Sequence, residues 1–177
     1  PVDAGMLPIV IAVGMAEALE ECGVPDVEIA WPNDILAGGT KVVGVLCEMS
    51  ADQERVTWAV AGMGINVGPV PDVPDARWVP GSLAALGARP RRGDLLVAAL
   101  AAIGRRYAAW LEHGPAGIVS AFGRRDHLAG RGITVGTPSG EVTGTGRGID
   151  ELGRLVLAGP DGEVVLASGE VTGVGRR

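Results

Sequence analysis

The sequence predicts an α/β (α+β) fold: a mixed β-sheet flanked by helices, followed by a small β-barrel. Three observations carry that expectation. Two stretches with a three-to-four-residue apolar period, 8–22 and 94–113, bracket two valine-rich apolar runs, 41–49 and 55–66. From Gly130 onward the segments are short and valine-rich, and turn sequences divide them at roughly ten-residue spacing, as in a β-meander barrel. The 29 glycines and 12 prolines among 177 residues call for many turns and short elements.

Each element has a local cause. Between Pro8 and Cys22, residues Ile9, Val13, Ala16 and Leu19 share one helical face, and Gly23 and Pro25 end the helix. Val27 to Trp31 is a short strand. Trp31-Pro32-Asn33-Asp34 breaks it, because proline and Asx residues favour turns. Ala37-Gly38-Gly39-Thr40 is a second turn. Lys41 to Met49 then reads as a buried strand, and Arg55 to Asn66, interrupted by Gly62 and Gly64, as its hairpin partner. Gly68 to Pro90, with five prolines and three glycines, is mostly loop. Asp94 to His113 is the strongest helix. Asp94 is placed as its cap, Leu96, Leu100, Ile103, Tyr107 and Trp110/Leu111 form one apolar face, and Gly114-Pro115 stops it. Ile118 to Arg124 is a further short helix. A boundary at 128–131 separates a first unit, 1–128, from a second, 129–177. In the second, Pro138-Ser139-Gly140, Asp150-Glu151-Leu152-Gly153 and Pro160-Asp161-Gly162 are turns between four or five strands.

Composition narrows the function classes. With 47% hydrophobic and 20% charged residues the chain can bury a core. A net charge of −6 argues against a duplex nucleic-acid binder, which needs a basic face. Cys22 and Cys47 form no disulfide framework, and no Cys or His lies at metal-ligand spacing, which argues against zinc and fits a reducing, cytoplasmic setting. The apolar stretch from Leu7 to Ala16 is too short to cross a bilayer, and no basic region precedes it as in a signal peptide. The sequence opens Pro1-Val2 with no initiator Met, which predicts a stretch beginning inside an open reading frame or a processed chain.

Several glycine-rich segments invite a nucleotide reading. Gly62-Met63-Gly64-Ile65-Asn66-Val67-Gly68 fails as a dinucleotide loop, because the third glycine is one residue late and Pro69 and Pro71 prevent a following helix. Gly39-Thr40-Lys41 lacks the residue order of a Walker loop. Gly144 to Gly148 serves a strand that must bend. Trp31-Pro32-Asn33-Asp34 is different. It lies between two predicted buried strands, and Lys41, the single lysine among 15 basic residues, follows at the start of the returning strand. Asn66 ends the neighbouring strand behind two glycines. Amide, carboxylate and ammonium groups thus converge at one sheet end. Asn can hydrogen-bond a nucleotide, Asp can hold magnesium, and Lys can neutralise phosphate or carboxylate charge.

These residues resemble the signature of the biotin protein ligase family: Trp31-Pro32-Asn33-Asp34-Ile35-Leu36, then Gly39, Lys41, Gly44-Val45-Leu46 and Glu48, then Gly62-Met63-Gly64-Ile65-Asn66-Val67. Ser82-Leu83 and the helix over 94–113 resemble the later part of the ligase domain. Gly148-Ile149-Asp150, Gly153 and Ser168-Gly169-Glu170-Val171 resemble the SH3-like domain that closes these enzymes. The resemblance implies a partial biotin/lipoate ligase catalytic domain over 1–128, truncated at its N-terminus, and an SH3-like domain over 129–177. It implies a ligase that uses ATP and Mg2+ to form biotinyl-5'-AMP and then transfers biotin to a lysine of a biotin carboxyl carrier protein, with a homodimer as a further implication. Lys41 would contact the biotin carboxylate and the acyl phosphate. Gly44 and Leu46 would line the biotin pocket. Asn33, Asp34, Asn66 and Trp31 would face the nucleotide, with Asp34 on the magnesium.

Two departures from the family pattern stand out. Members usually carry a lysine directly before the tryptophan, where this chain has Ala30. The glycine- and arginine-rich loop that folds over the adenylate, and the winged-helix DNA-binding domain of some members, belong upstream of Pro1. The 177 residues hold no DNA-binding domain. Ala30 motivates an alternative reading, a catalytically impaired or dead relative that only binds biotin, adenylate or a carrier domain. Lipoate ligation, which shares the general fold, is a third; the asparagine-aspartate and glycine-isoleucine-asparagine context leans to biotin.

Overall fold

The first apolar period folds into a helix so apolar all round that it is buried on every side. In the computed structural model, which describes residues 4–52, 56–71 and 73–175, a single 3-10 turn (Ala4–Met6) leads into α1 (Leu7–Glu21), whose residues Ile9 to Ala16 are all buried. Helix α2 (Arg92–His113) lies against α1, and α3 (Ala116–Gly123) closes the layer. The α1–α2 approach is close enough to require Gly14, where a Cβ would stand 2.6 Å from Ile103 Cα. That closeness corrects the sequence reading of α2. Its buried residues are Leu95, Ala99 and Ala102, while Leu96, Leu100, Tyr107 and Leu111 are exposed. Of the predicted face, Ile103 meets α1 at Gly14 and Trp110 packs at the edge of the core, so the contact lies to one side of that face and not along it. Asp94 is not the cap either. Arg91, in an extended conformation just after Pro90, begins the helix, and Asp94 sits in its first turn, where a carboxylate suits the positive end of the helix dipole.

The helices cover one face of a four-stranded sheet formed by β1 (Val27–Ala30), β2 (Asp34–Ala37), β3 (Thr40–Ala51) and β4 (Val56–Ile65), in that spatial order. Every pair in it is antiparallel, so the sheet is not mixed; parallel pairing is confined to isolated bridges such as Ile29 with Asp126. The few residues between β1 and β2, between β2 and β3 and between β3 and β4 allow no crossover, and antiparallel pairing follows. The hairpin of β3 and β4 is present as expected; Arg55 and residues 1–3 and 176–177 lie outside the described residues. Strand β2 was not read from the sequence. Its four residues are hidden between two turns and leave no room for alternation.

The second sheet orders five antiparallel strands as β8-β7-β6-β5-β9: β5 (Gly132–Thr137), β6 (Gly140–Ile149), β7 (Leu155–Gly159), β8 (Gly162–Leu166) and β9 (Glu170–Val174). The turns fall where proline, glycine and aspartate put them. Among the described residues β8 and β9 remain edge strands, so the expected small barrel is not closed. One apolar core runs through both sheets, joining α1 to Leu128, Ile133, Val135, Leu155 and Val171. The link between them is hydrogen-bonded on the β1 side, with Ile29 N–H donating to Arg125 O at 2.7 Å and His127 N–H to Ile29 O at 3.0 Å.

Candidate functional site

The site grows from the corner where β2 meets β3. Asp34 opens β2, paired with Ala30 on one side and Gly44 on the other, and its side chain is only 3% exposed. A register shift between Ile35 and Leu36 turns Lys41 towards it, and the Lys41 ammonium lies 2.5 Å from Asp34 Oδ1. Gly44 keeps the space above this pair open. A Cβ there would stand 3.4 Å from Lys41 Cε, 3.5 Å from its Nζ and 3.8 Å from Asp34 Oδ1. Asn33 is committed to the turn: its Nδ2 donates to Val45 O at 2.6 Å and its carbonyl accepts from Val45 N–H at 2.9 Å. Asn66 leaves the end of β4 with its N–H on Val42 O (2.9 Å) and its Nδ2 on Lys41 O (3.3 Å), while Leu83 N–H holds its carbonyl at 2.9 Å. The three adjacent strand ends are thereby tied together, and the side chains the sequence placed at one sheet end are brought to one place.

The loop over 68–90 supplies the rest. Lys41 N–H donates to Val79 O and Gly81 N–H to Lys41 O, both at 2.9 Å, so the loop lies along the start of β3 as a short parallel bridge. Gly81 is needed for that approach, because a Cβ there would overlap the Thr40 side chain at 1.9 Å. Two residues before Val79, Arg77 donates from Nη2 to Asp34 Oδ2 and from Nη1 to Val171 O of β9 at 3.3 Å, with Glu170 Oε1 at 3.9 Å. Its guanidinium lies 5.4 Å over the Trp78 ring. Asp34, Lys41, Asn66, Arg77, Trp78 and Glu170 line a cavity of about 360 Å3, into which Val73, Ala76 and Pro80 also face.

Of the residues predicted for the site, Lys41, Asp34 and Asn66 therefore line one cavity, and Gly44 lies beside the Lys41–Asp34 pair. Leu46 lies two residues further along the same face of β3, opposite Gly62, and is 63% exposed. Trp31 is buried, and its indole N–H donates at 2.9 Å to Gly153 O, in the turn between β6 and β7, so it holds the two halves together and does not line the cavity. Asp34 does not fit the magnesium role expected of it. Each of its oxygens is in an ion pair, one with Lys41 and one with Arg77, and a divalent ion there would meet two positive charges. No group of three or more His, Cys, Asp or Glu among the described residues could hold a metal ion.

Sequence reading missed Arg77, Trp78 and the cavity role of Glu170. Arg77 and Trp78 lie in a segment with no periodicity, and only their position in a loop between sheet strands hinted at function. Glu170 was quoted as part of a motif but not placed near Lys41, because 129 positions of chain separate them. The thiol of Cys47, on β3, is pushed up by burial and belongs to the packed face of the sheet.

Comparisons with known proteins agree with the fold. Residues 2–66 match the model of the biotin/lipoate A/B protein ligase family, and 129–172 that of the biotin protein ligase C terminal domain. The chain is 33% identical over 180 residues to a biotin–[acetyl-CoA-carboxylase] ligase of Paracoccus denitrificans, covering 95% of this chain and 72% of that protein. It is 32% identical over 168 residues to the bifunctional ligase/repressor BirA of Bacillus subtilis, covering 93% of this chain but 52% of that one, so it spans about half the length of that relative. The fold is similar to that of the biotin protein ligase of Aquifex aeolicus, with a TM-score of 0.81 and 24% identity over 99% of this chain and 76% of the other. A second structure of that enzyme, in complex with biotin and ATP, superposes with a TM-score of 0.80 at 23% identity, covering 99% of this chain and 73% of that one.

Proposed function

The chain belongs to the biotin protein ligase family, and from that premise we propose that its protein is an ATP-dependent ligase that forms biotinyl-5'-AMP and transfers biotin to a lysine of a biotin carboxyl carrier protein. The observation that carries the proposal is Lys41, the single lysine of the sequence, held by a buried carboxylate at the wall of a cavity. In the first step a biotin carboxylate oxygen bonds to the α-phosphorus of ATP and the bond to the β-phosphate bridge breaks, releasing pyrophosphate. Two anions must meet, and Lys41 offsets their repulsion and the charge that builds on the phosphorus oxygens. Loss of one such placed donor costs about 3–4 kcal/mol of transition-state stabilisation. In the second step the amine of the acceptor lysine attacks the acyl carbon, AMP leaves, and an amide remains.

The other residues take roles that follow from their positions. Gly44 and Leu46, on one face of β3, form the wall for the biotin ring system. Asn66 and Asp34 face the nucleotide, Asp34 by orienting the cations that touch it. Asn33 holds the turn that presents Asp34. A magnesium ion would neutralise phosphate charge when bound with the nucleotide, and no described residue is assigned to it. Residues 1–128 act as part of the catalytic domain and 129–177 as its SH3-like companion. The acceptor is a carrier domain in the cytoplasm; among the described residues no helix is long and apolar enough to cross a membrane. Pairing of two copies belongs to the same reading, supported by Trp58 and Val60 exposed on the outer strand β4.

The test is biotin-dependent exchange of labelled pyrophosphate into ATP by the full-length gene product, followed by the mass of a carrier domain after incubation. Exchange and a mass gain of one biotin are expected, and both should fall by about 100-fold or more in Lys41→Ala. Exchange with lipoate in place of biotin, or none with either acid, overturns the proposal.

A further inference from the structure

The cavity beside Lys41 holds a second cation that no motif announces. We infer that Arg77 binds the phosphates of the nucleotide, from the side of Asp34 opposite Lys41; the inference rests on the reaction proposed above and names the residue that meets its anion.

Charge is the first argument. The Asp34 carboxylate is buried and accepts from both Lys41 and Arg77, so one negative charge faces two positive ones and the inner wall keeps a positive surplus. Glu170 approaches Arg77 only at 3.9 Å and is 76% exposed, so water screens its charge. In a chain of net charge −6 this surplus is a local feature. An anion is the ligand that balances it.

Donor geometry is the second. A guanidinium carries five N–H groups in a planar fork that matches phosphate oxygens. Asp34 and Val171 O take two of those of Arg77, and its buried Nε has no acceptor among the described residues. The side chain remains 24% exposed to the cavity it lines. The third argument is preorganisation. The arm is fixed before any ligand arrives, by Asp34, by Val171 O of the second sheet and by the Trp78 ring beneath it. An anion therefore meets an already ordered fork and loses little affinity to side-chain ordering. Because one of these anchors comes from β9, the second sheet helps aim the nucleotide site.

Calorimetric titration of the full-length protein with a non-hydrolysable α,β-methylene ATP, with inorganic pyrophosphate and with biotin tests this. Arg77→Ala and Arg77→Gln leave Asp34 paired with Lys41, so the buried carboxylate keeps a partner, and Arg77→Gln retains a donor for it should Arg77→Ala fold poorly. Both should bind the ATP analogue and pyrophosphate about 10- to 100-fold more weakly, with biotin affinity within about twofold of the parent. Arg77→Lys should recover part of the loss. Unchanged affinity for both phosphate probes in a folded variant overturns the inference. So does an equal loss for biotin and nucleotide, which would make Arg77 a strap of the fold. Should the parent form no biotinyl adenylate yet bind pyrophosphate through Arg77, the proposed reaction fails while the Arg77 assignment stands. Should the parent bind neither phosphate probe, the assignment falls.

Discussion

Gly44 shows how one absent side chain shapes the chemistry of a lysine. Lys41 reaches Asp34 through a space whose boundary is the missing Cβ of residue 44. An alanine there meets Lys41 at ordinary contact distance, whereas the branches of a valine push into the path of the ammonium. Gly44→Ala should therefore keep most adenylate formation, and Gly44→Val should lower kcat by about 100-fold with little change in melting temperature, read from pyrophosphate exchange and a thermal scan. Ala30 belongs to the same corner. It pairs with Asp34 but supplies no charge, and the second cation of the cavity comes instead from Arg77, 47 positions away in the chain.

At the scale of elements, the helical layer is held by a charged seam as well as by small residues. Glu17 of α1 accepts from Arg106 Nε of α2 at 2.8 Å and lies near Arg125, which also pairs with Glu20 at 2.6 Å. Burial alone would raise the Glu17 pKa, but the Arg106 hydrogen bond and the charges of Arg106, Arg125 and Arg105 outweigh it and hold the carboxyl below its usual 4.5. A folded-state pKa below the unfolded one means that the stabilisation is complete above pH 4.5 and is lost as pH falls through the lower folded value. Glu17→Gln should thus melt below the parent at neutral pH and lose less stability than the parent between pH 4.5 and the acid limit, measured by thermal scans across pH.

At the scale of the whole molecule, two motifs far apart in sequence make one joint. Asp150 organises the turn after β6, accepting from the N–H groups of Leu152 and Arg154 at 2.9 Å and from Arg154 Nε at 2.7 Å. That turn presents Gly153, at φ +75°, whose carbonyl receives the Trp31 indole. A Cβ on Gly153 would crowd Met6 Cα, Ile9 Cγ1 and Gly5 O at 3.3 Å, so glycine is needed for the backbone conformation and for the closeness. Trp31→Phe leaves that carbonyl unpaired and should cost about 1–3 kcal/mol, with a fall in melting temperature of about 2–4 °C for each kcal/mol, read by calorimetry. A second contact runs past the cavity itself. The Trp78 ring stands edge-on to His127 at 5.1 Å, and His127 Nδ1 lies 2.8 Å from Glu28 Oε2, so the loop that carries Arg77 leans on the link between the sheets.

By itself the sequence determined where chain direction must change and which of its polar residues, Asp34, Lys41 and Asn66, meet at one sheet end. Proline, glycine and Asx residues act locally, so the turns, the β3–β4 hairpin, the C-terminal ends of α1 and α2 and a run of four or five strands in the second unit were legible, as was the convergence of Asp34, Lys41 and Asn66 at one sheet end. Tertiary structure alone decided the rest. Strand β2 exists because its neighbours pair with it. The buried side of α2 runs through Leu95, Ala99 and Ala102, with Ile103 against Gly14, because α1 packs there. Trp31 serves the joint because Gly153 lies within reach. Arg77 enters the site because Lys41 pairs with the loop at Val79 and Gly81, and because β9 supplies Val171 O. Each of these depends on pairings between residues distant in sequence, whose energy arises only when the chain is folded, and no local pattern carries that information.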